Sequence, residues 1–312
     1  WSYSELAWVR ASFVIGGILF YIVPLFGEHI PFIYCLLFGV LISPTDPIAV
    51  LGILKKAKVP KSLETKITGE SLFNDGVAVV LFAVILQLAQ SSGVDFSVGE
   101  IAWLFALEAG GAFILGGILG LGAARAMRKV DEHNVAALIT LAVVMGGYMI
   151  ASALHFSGPL TMVIAGLIIG NLGKKSTMSS VAKDYLSKFW ELTDEVLNAI
   201  LFLFIGFELL IIPNILSHWY IGFITIIIVL IARFASIWVP FYLVPFQKKF
   251  TRGTLYMLVW GALRGGVSIA LVLSMEEGRY KELLLEMTYM VVVFSIIVQG
   301  LTVSRMAKRL LG

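Results

Sequence analysis

The stretch FGVLISPTDPIAVLGIL, residues 38–54, decides the fold. It is apolar enough to lie in a bilayer, yet it carries an acid, Asp46, followed at once by Pro47. A carboxylate at mid-membrane depth costs about 3 kcal/mol or more, so by default it marks an ion pathway or a proton relay. A proline cannot continue a helix normally. It also disfavours the helical region for the residue before it, and it starts a new half-helix well. Asp46 is then placed to cap that second half, close to free backbone donors. Working outward, GESLFNDGVAVVLFAVIL, residues 69–86, carries a second acid at bilayer depth, Asp75. A broken helix with a buried acid, next to a helix with another buried acid, is the pattern of a carrier's cation site.

The rest of the chain agrees with a membrane setting. Of its 312 residues, 59% are hydrophobic and only 14% are charged, with a mean hydropathy of +0.94. A soluble domain needs more charge on its surface. Apolar runs near the length that spans a bilayer recur along the whole sequence. They predict about ten spanning helices, over roughly 8–26, 32–54, 66–90, 99–123, 134–155, 158–173, 187–212, 217–245, 252–275 and 284–308. The 158–173 run is short and glycine-rich, which predicts a broken or tilted helix. The polar stretch GKKSTMSSVAKDYLSK, 173–188, predicts a short amphipathic helix on one membrane face.

Basic residues alternate between the two sets of loops. One set carries Lys55, Lys56, Lys58, Lys61, Lys66, Arg125, Arg128, Lys129, Lys174, Lys175, Lys183, Lys188, Lys248, Lys249, Arg252, Arg305, Lys308 and Arg309; the other carries only Arg279 and Lys281. The positive-inside rule therefore predicts that both ends and the basic loops are cytoplasmic. It also makes these clusters topology signals rather than nucleic-acid patches. The single cysteine, Cys35, excludes a disulfide framework and reads as a small packing residue. The four histidines fall near helix ends or in loops and show no metal-ligand spacing. The chain opens on WSYSE immediately before its first span, which predicts a piece whose upstream helices are missing.

Residues in an α-helix are about 100° apart. Ser71 and Asp75, four apart, therefore share a face and offer a hydroxyl and a carboxylate, hard oxygen ligands of the kind an alkali cation takes. Glu70 and Asn74 share a second face, and Glu70 lies about 140° round from Asp75. Glu70 thus needs its own cationic partner. Arg264, in WGALRGGVSIAL (260–271), is one candidate and Arg233, in IARFASIWVP (231–240), another. The glycines flanking Arg264 permit irregular backbone, tolerated at membrane depth only where protein or a water cavity covers it. A second broken helix is therefore expected over 252–275, with a structural Glu70–Arg264 pair. Glu108 is available to Arg233.

TDP at 45–47, GESLFND at 69–75 and GALRGG at 261–266, in that order, resemble the sodium/proton exchanger branch of the monovalent cation/proton antiporters. VVVFSIIVQGLTV, 291–303, looks like the final helix of the same family, so the resemblance spans nearly the whole chain. It implies an all-α membrane protein of 12–13 helices in inverted repeats, with two discontinuous helices that cross, of which this chain would hold about ten as one exchanger domain over 1–312. It implies Na⁺/H⁺ exchange, with Li⁺ and K⁺ as near neighbours of Na⁺ in size, for pH and sodium homeostasis. By motif position, Asp75 is the acid that holds a cation or a proton in turn. Asp46 and Asn74 support it, Thr45 and Ser71 contribute oxygens, and Glu70 and Arg264 form the structural ion pair. Na⁺ would be bound through Asp75, Asp46, Ser71 and Thr45. No cofactor is implied beyond the transported ions. A homodimer in the plasma (inner) membrane is implied as the working form, with the bilayer as its surroundings and no nucleic acid. Electrogenic relatives carry a second Asp where this chain has Asn74, and an amide cannot titrate, so exchange here is expected to be 1:1 and electroneutral. Some exchangers have a further site acid on a helix upstream of the position of Trp1.

Two other classes use intramembrane acids. An aspartyl protease places two on different helices, but no G-x-G-D motif accompanies Asp75, and Glu70 and Arg264 would then have no role. A cation channel needs a ring of ligands around a continuous pore, which the broken-helix pattern does not suggest.

Overall fold

A computed structural model describes residues 7–45, 61–90, 98–129, 132–175, 180–211, 219–243, 256 and 259–310, with the side chains of 61–70 among those left out. Every described element is helical. In chain order they are α1 (Ala7–Ile22, continued by a 3₁₀ turn, Val23–Phe26), α2 (Phe32–Ile42), α3 (Lys61–Gln90), α4 (Val98–Met127), α5 (His133–Ala153) and α6 (Gly158–Lys175). After these come α7 (Ser180–Ile211), α8 (Trp219–Leu243), α9 (Gly266–Leu273), α10 (Arg279–Phe294), a π turn (Ser295–Gln299) and α11 (Gly300–Leu310).

Each expected span has a helical counterpart here. Among the described residues, five helices are long and apolar enough to cross a bilayer: Trp8–Phe26, Gly99–Met127, His133–Ala153, Trp219–Val239 and Arg279–Val303; Phe32–Ile42, Asn74–Gln90 and Gly158–Asn171 are shorter apolar helices. The chain is thus an integral multi-pass membrane protein. Three details differ from expectation. The glycine-rich 158–173 run forms one uninterrupted helix, α6. The polar 173–188 stretch does not make a separate amphipathic helix: from Ser180 it is the first turns of the long α7. The last helix starts five residues early, at Arg279, and takes in Lys281, which is buried rather than left in a loop.

The chain divides into two compact units. The first comprises 1–78, 85–90 and 205–312; the second comprises 79–84 and 91–204. In the first unit α1 packs on α2 and α8, and α10 packs on α8 and α9. The α1–α2 contact depends on Gly39, where a Cβ would overlap the backbone carbonyl of Ser12. Cys35 sits in α2, 1% exposed, as a packing residue. In the second unit α4, α5 and α6 pack on one another. A Cβ at Gly116 of α4 would lie 2.5 Å from the Thr161 carbonyl oxygen on α6. The glycine at that position therefore permits the close backbone approach that replaces hydrophobic drive between helices in lipid. Around these contacts Val80, Ala112 and Leu160 form a buried cluster, and the Trp190 indole donates to Thr140 Oγ1 at 3.0 Å. Large side chains such as Phe113, Ile114 and Met149 stay exposed, as a lipid-facing surface requires.

Candidate cation site at two helix breaks

The site is built from what happens to backbone groups where helices stop. The last carbonyls of a helix have no partner within it, and at membrane depth no bulk water supplies one. Helix α2 stops at Ile42, Ser43 caps it in helical backbone with its amide on Gly39 O, and Pro44 and Thr45 leave the helix. Four carbonyls near this end are taken up by side chains from distant parts of the chain. Ser268 Oγ donates to Leu41 O at 2.7 Å. Arg264 Nη1 donates to Ser43 O at 3.1 Å and to Pro44 O at 3.2 Å. Ser71 Oγ donates to Thr45 O at 2.6 Å. All of these residues belong to the first unit.

The second break lies where the glycines predicted it. Residues 261–265 leave the helix, and α9 resumes at Gly266. Leu263 N–H turns back to Gly261 O at 2.8 Å. Arg264 is 3% exposed. Its guanidinium reaches the first break, so one buried cation clamps the two breaks together. Charge-assisted donation of this kind is about twice as strong as a neutral hydrogen bond.

The acid-bearing helix meets the first break through Ser71. On α3, Ser71 and Asn74 are buried and Asp75 is partly buried. A hydroxyl has one donor and two acceptor lone pairs. Ser71 therefore keeps acceptor capacity for a cation after donating to Thr45, and Asp75 follows it one turn along on the same face.

The structure thus brings Ser71 and Arg264 to the end of α2 at Ser43–Thr45, with Asn74 and Asp75 within a turn of Ser71 along α3. Asp46 and Pro47 lie outside the described residues, as does the side chain of Glu70, whose backbone belongs to α3. Arg233, on α8, lines one small cavity with Ile226, Ala262, Arg264, Phe294 and Gln299. It therefore adds like charge beside Arg264 and increases the need for the carbonyls Arg264 engages. Glu108 belongs to the second unit, where its carbonyl accepts from Ser157 N–H at 3.4 Å.

Sequence reasoning missed Ser268, Ser295 and Gln299. Ser295 Oγ accepts the Arg264 amide at 2.8 Å, and Gln299 Nε2 donates to Trp260 O at 3.1 Å. The signal was present: Ser268 follows Arg264 by four residues, and Ser295 and Gln299 are the polar pair, four apart, of an otherwise apolar run.

With this geometry in place, comparison with known proteins is direct. The family model described as sodium/hydrogen exchanger, transmembrane, matches residues 6–309. The chain is 50% identical over 305 residues to the Na⁺/H⁺ antiporter NhaP of Pseudomonas aeruginosa, covering 96% of this chain and 72% of that protein. It is 34% identical over 305 residues to the Na⁺/H⁺ antiporter NhaH of Halobacillus dabanensis, covering 96% and 73%. The fold is shared with the sodium proton antiporter MjNhaP1 of Methanocaldococcus jannaschii at pH 8, with a TM-score of 0.78 at 20% identity, covering 98% of this chain and 77% of that one. A helix that ends at Ile42 just ahead of Thr45, a carboxylate helix tied to Thr45 through a serine hydroxyl, and a glycine-flanked arginine on the carbonyls of that end are found in one chain that the family model matches over nearly its whole length; the chain belongs to the sodium/hydrogen exchanger family.

Proposed function

We propose that Asp75 holds Na⁺ and H⁺ in turn, and that the chain exchanges the two electroneutrally, one for one. The observation that carries this is the 2.6 Å hydrogen bond from Ser71 to the Thr45 carbonyl. It joins the helix bearing Asp75 to the backbone break, where oxygen ligands collect. Na⁺ is bound through Asp75 and Asp46, the hydroxyl of Ser71 and an oxygen of Thr45; Asn74 supports Asp75 without titrating. Glu70 pairs with Arg264 and keeps the two breaks charge-balanced.

One negative charge cannot hold both guests. Each passage of the site across the membrane therefore carries either Na⁺ or H⁺, which makes the stoichiometry 1:1. Because the cation needs the deprotonated carboxylate, proton competition raises the apparent KM for Na⁺ as pH falls, by about tenfold per unit at the acid limit. The cycle needs no cofactor and forms no covalent intermediate. Residues 1–312 act as one exchanger domain, both ends cytoplasmic, as a homodimer in the plasma membrane. Alternating access comes from motion around a site near the bilayer midplane.

The test is Na⁺-driven pH-gradient collapse in proteoliposomes, read with a pH-sensitive dye. Asp75→Asn is expected to abolish the response while the protein remains folded. Exchange that survives the substitution overturns the assignment.

A further inference from the structure

In an unbroken α-helix the amide of Arg264 would donate to the carbonyl of Trp260, four residues earlier. The chain at 261–265 is not helical, and each half of that bond has its own substitute. The donor half, Arg264 N–H, reaches Ser295 Oγ at 2.8 Å. The acceptor half, Trp260 O, receives Gln299 Nε2 at 3.1 Å. Both substitutes come from one element: Ser295 and Gln299 are the first and last residues of the π turn between α10 and α11. They are 0% and 3% exposed. Just beyond it, Thr302 Oγ1 accepts the Trp260 indole N–H at 2.9 Å. The widened π turn, a feature often found at functional sites, thus runs along the second break.

We propose that Ser295 and Gln299 are positioning residues for cation exchange, holding the second break open so that Arg264 stays on the carbonyls of the first. Without them the buried Arg264 amide and the Trp260 carbonyl, in a half-buried residue, lose their partners. Their nearest remedy is each other, which re-forms the helical turn. That turn would swing Arg264 away from Ser43 and Pro44 and disturb the Thr45–Ser71 side of the site. In this role the π turn acts through Arg264, whose amide it holds.

This inference deepens the reading of Asp75 as the shared site, and two readouts keep the two apart. The first is the apparent KM for Na⁺ in proteoliposomes of the reconstituted protein. Ser295→Ala and Gln299→Leu are each expected to raise it about fivefold or more, with Vmax per folded protein within about twofold, and Ser295→Thr restores it. The second is amide hydrogen exchange of the peptide containing Arg264. Ser295→Ala is expected to speed it about tenfold, while Asp75→Asn leaves it slow. A Vmax that falls with the amount of folded protein while KM stays unchanged means ordinary packing and overturns the proposal. So does unaltered amide exchange in Ser295→Ala. Should Ser295→Ala fail to accumulate, a wild-type KM in Gln299→Leu or Ser295→Cys overturns it equally. If Asp75→Asn stays active while Ser295→Ala still raises KM, the Asp75 assignment fails and the positioning role stands.

Discussion

The two units of this chain solve the same problem differently. Helices in lipid must satisfy every backbone polar group and still pack without a hydrophobic drive. In the second unit, α4, α5 and α6 run unbroken, their backbone groups pair within each helix, and contact comes from small residues such as Gly116. Side-chain hydrogen bonds described there include local ones such as Thr161 to Ser157 O at 2.7 Å. In the first unit, helices stop inside the fold. Partners for their ends arrive from far along the chain, Arg264 reaching Ser43 across 221 residues. The difference teaches where exchange chemistry can reside. A continuous helix spends its carbonyls on its own ladder, whereas the end of a broken one presents carbonyls and polar side chains at one place, held in shape by donors from elsewhere.

That contrast can be broken or sharpened by substitution. The largest effect is expected for Arg264→Met, which leaves the Ser43 and Pro44 carbonyls without their donor. A loss of about 3 kcal/mol in stability follows from stranding buried acceptors, and exchange should fall about a hundredfold. Thermal unfolding and vesicle transport measure the two, and a stable, active Arg264→Met would remove the clamp from the account. Next is Gly116→Val in the second unit. Overpacking of the α4–α6 contact should cost about 1–3 kcal/mol, yet the KM for Na⁺ of the folded fraction should not move. If KM changes there, the two units are not separable in function.

Smaller effects concern the site itself. Ser71→Ala removes one hydrogen bond of about 1 kcal/mol. The apparent KM for Na⁺ should rise about fivefold, with little change in unfolding temperature. Asn74→Asp should change the rate least of all at zero potential. It adds a second titratable group, however, so transport by that variant should become sensitive to an imposed potassium-diffusion potential where the parent chain is not. A parent already steeply sensitive to potential would contradict electroneutral exchange.

How much of this was legible beforehand varies by element. The spans from α1 to α10 follow from hydrophobic length alone, and the break at 261–265 follows from Gly261, Gly265 and Gly266 around a charge. Ser71, Asn74 and Asp75 emerged as a polar set because each is costly in an apolar helix. The break allowed for in α6 is absent because glycine, which lowers helix propensity in water, serves close packing in a helix bundle. The start of α10 was placed late because Arg279 and Lys281 look like loop residues until the burial of Lys281 is known. Ser295 and Gln299 could be noticed as polar but not given a partner, since Arg264 and Trp260 lie 31 and 39 residues away.

By itself the sequence determined that this chain lives in a bilayer, where its helices lie and which of them carry charges that lipid will not accept. Burial of apolar length and exclusion of charge depend on residue type and order alone. Only the tertiary structure decided which carbonyl each donor satisfies: Arg264 on Ser43 and Pro44, Ser71 on Thr45, Ser295 and Gln299 on the two halves of a missing helical bond. A hydrogen bond needs its two atoms within about 3 Å, and no local pattern brings together residues two hundred positions apart.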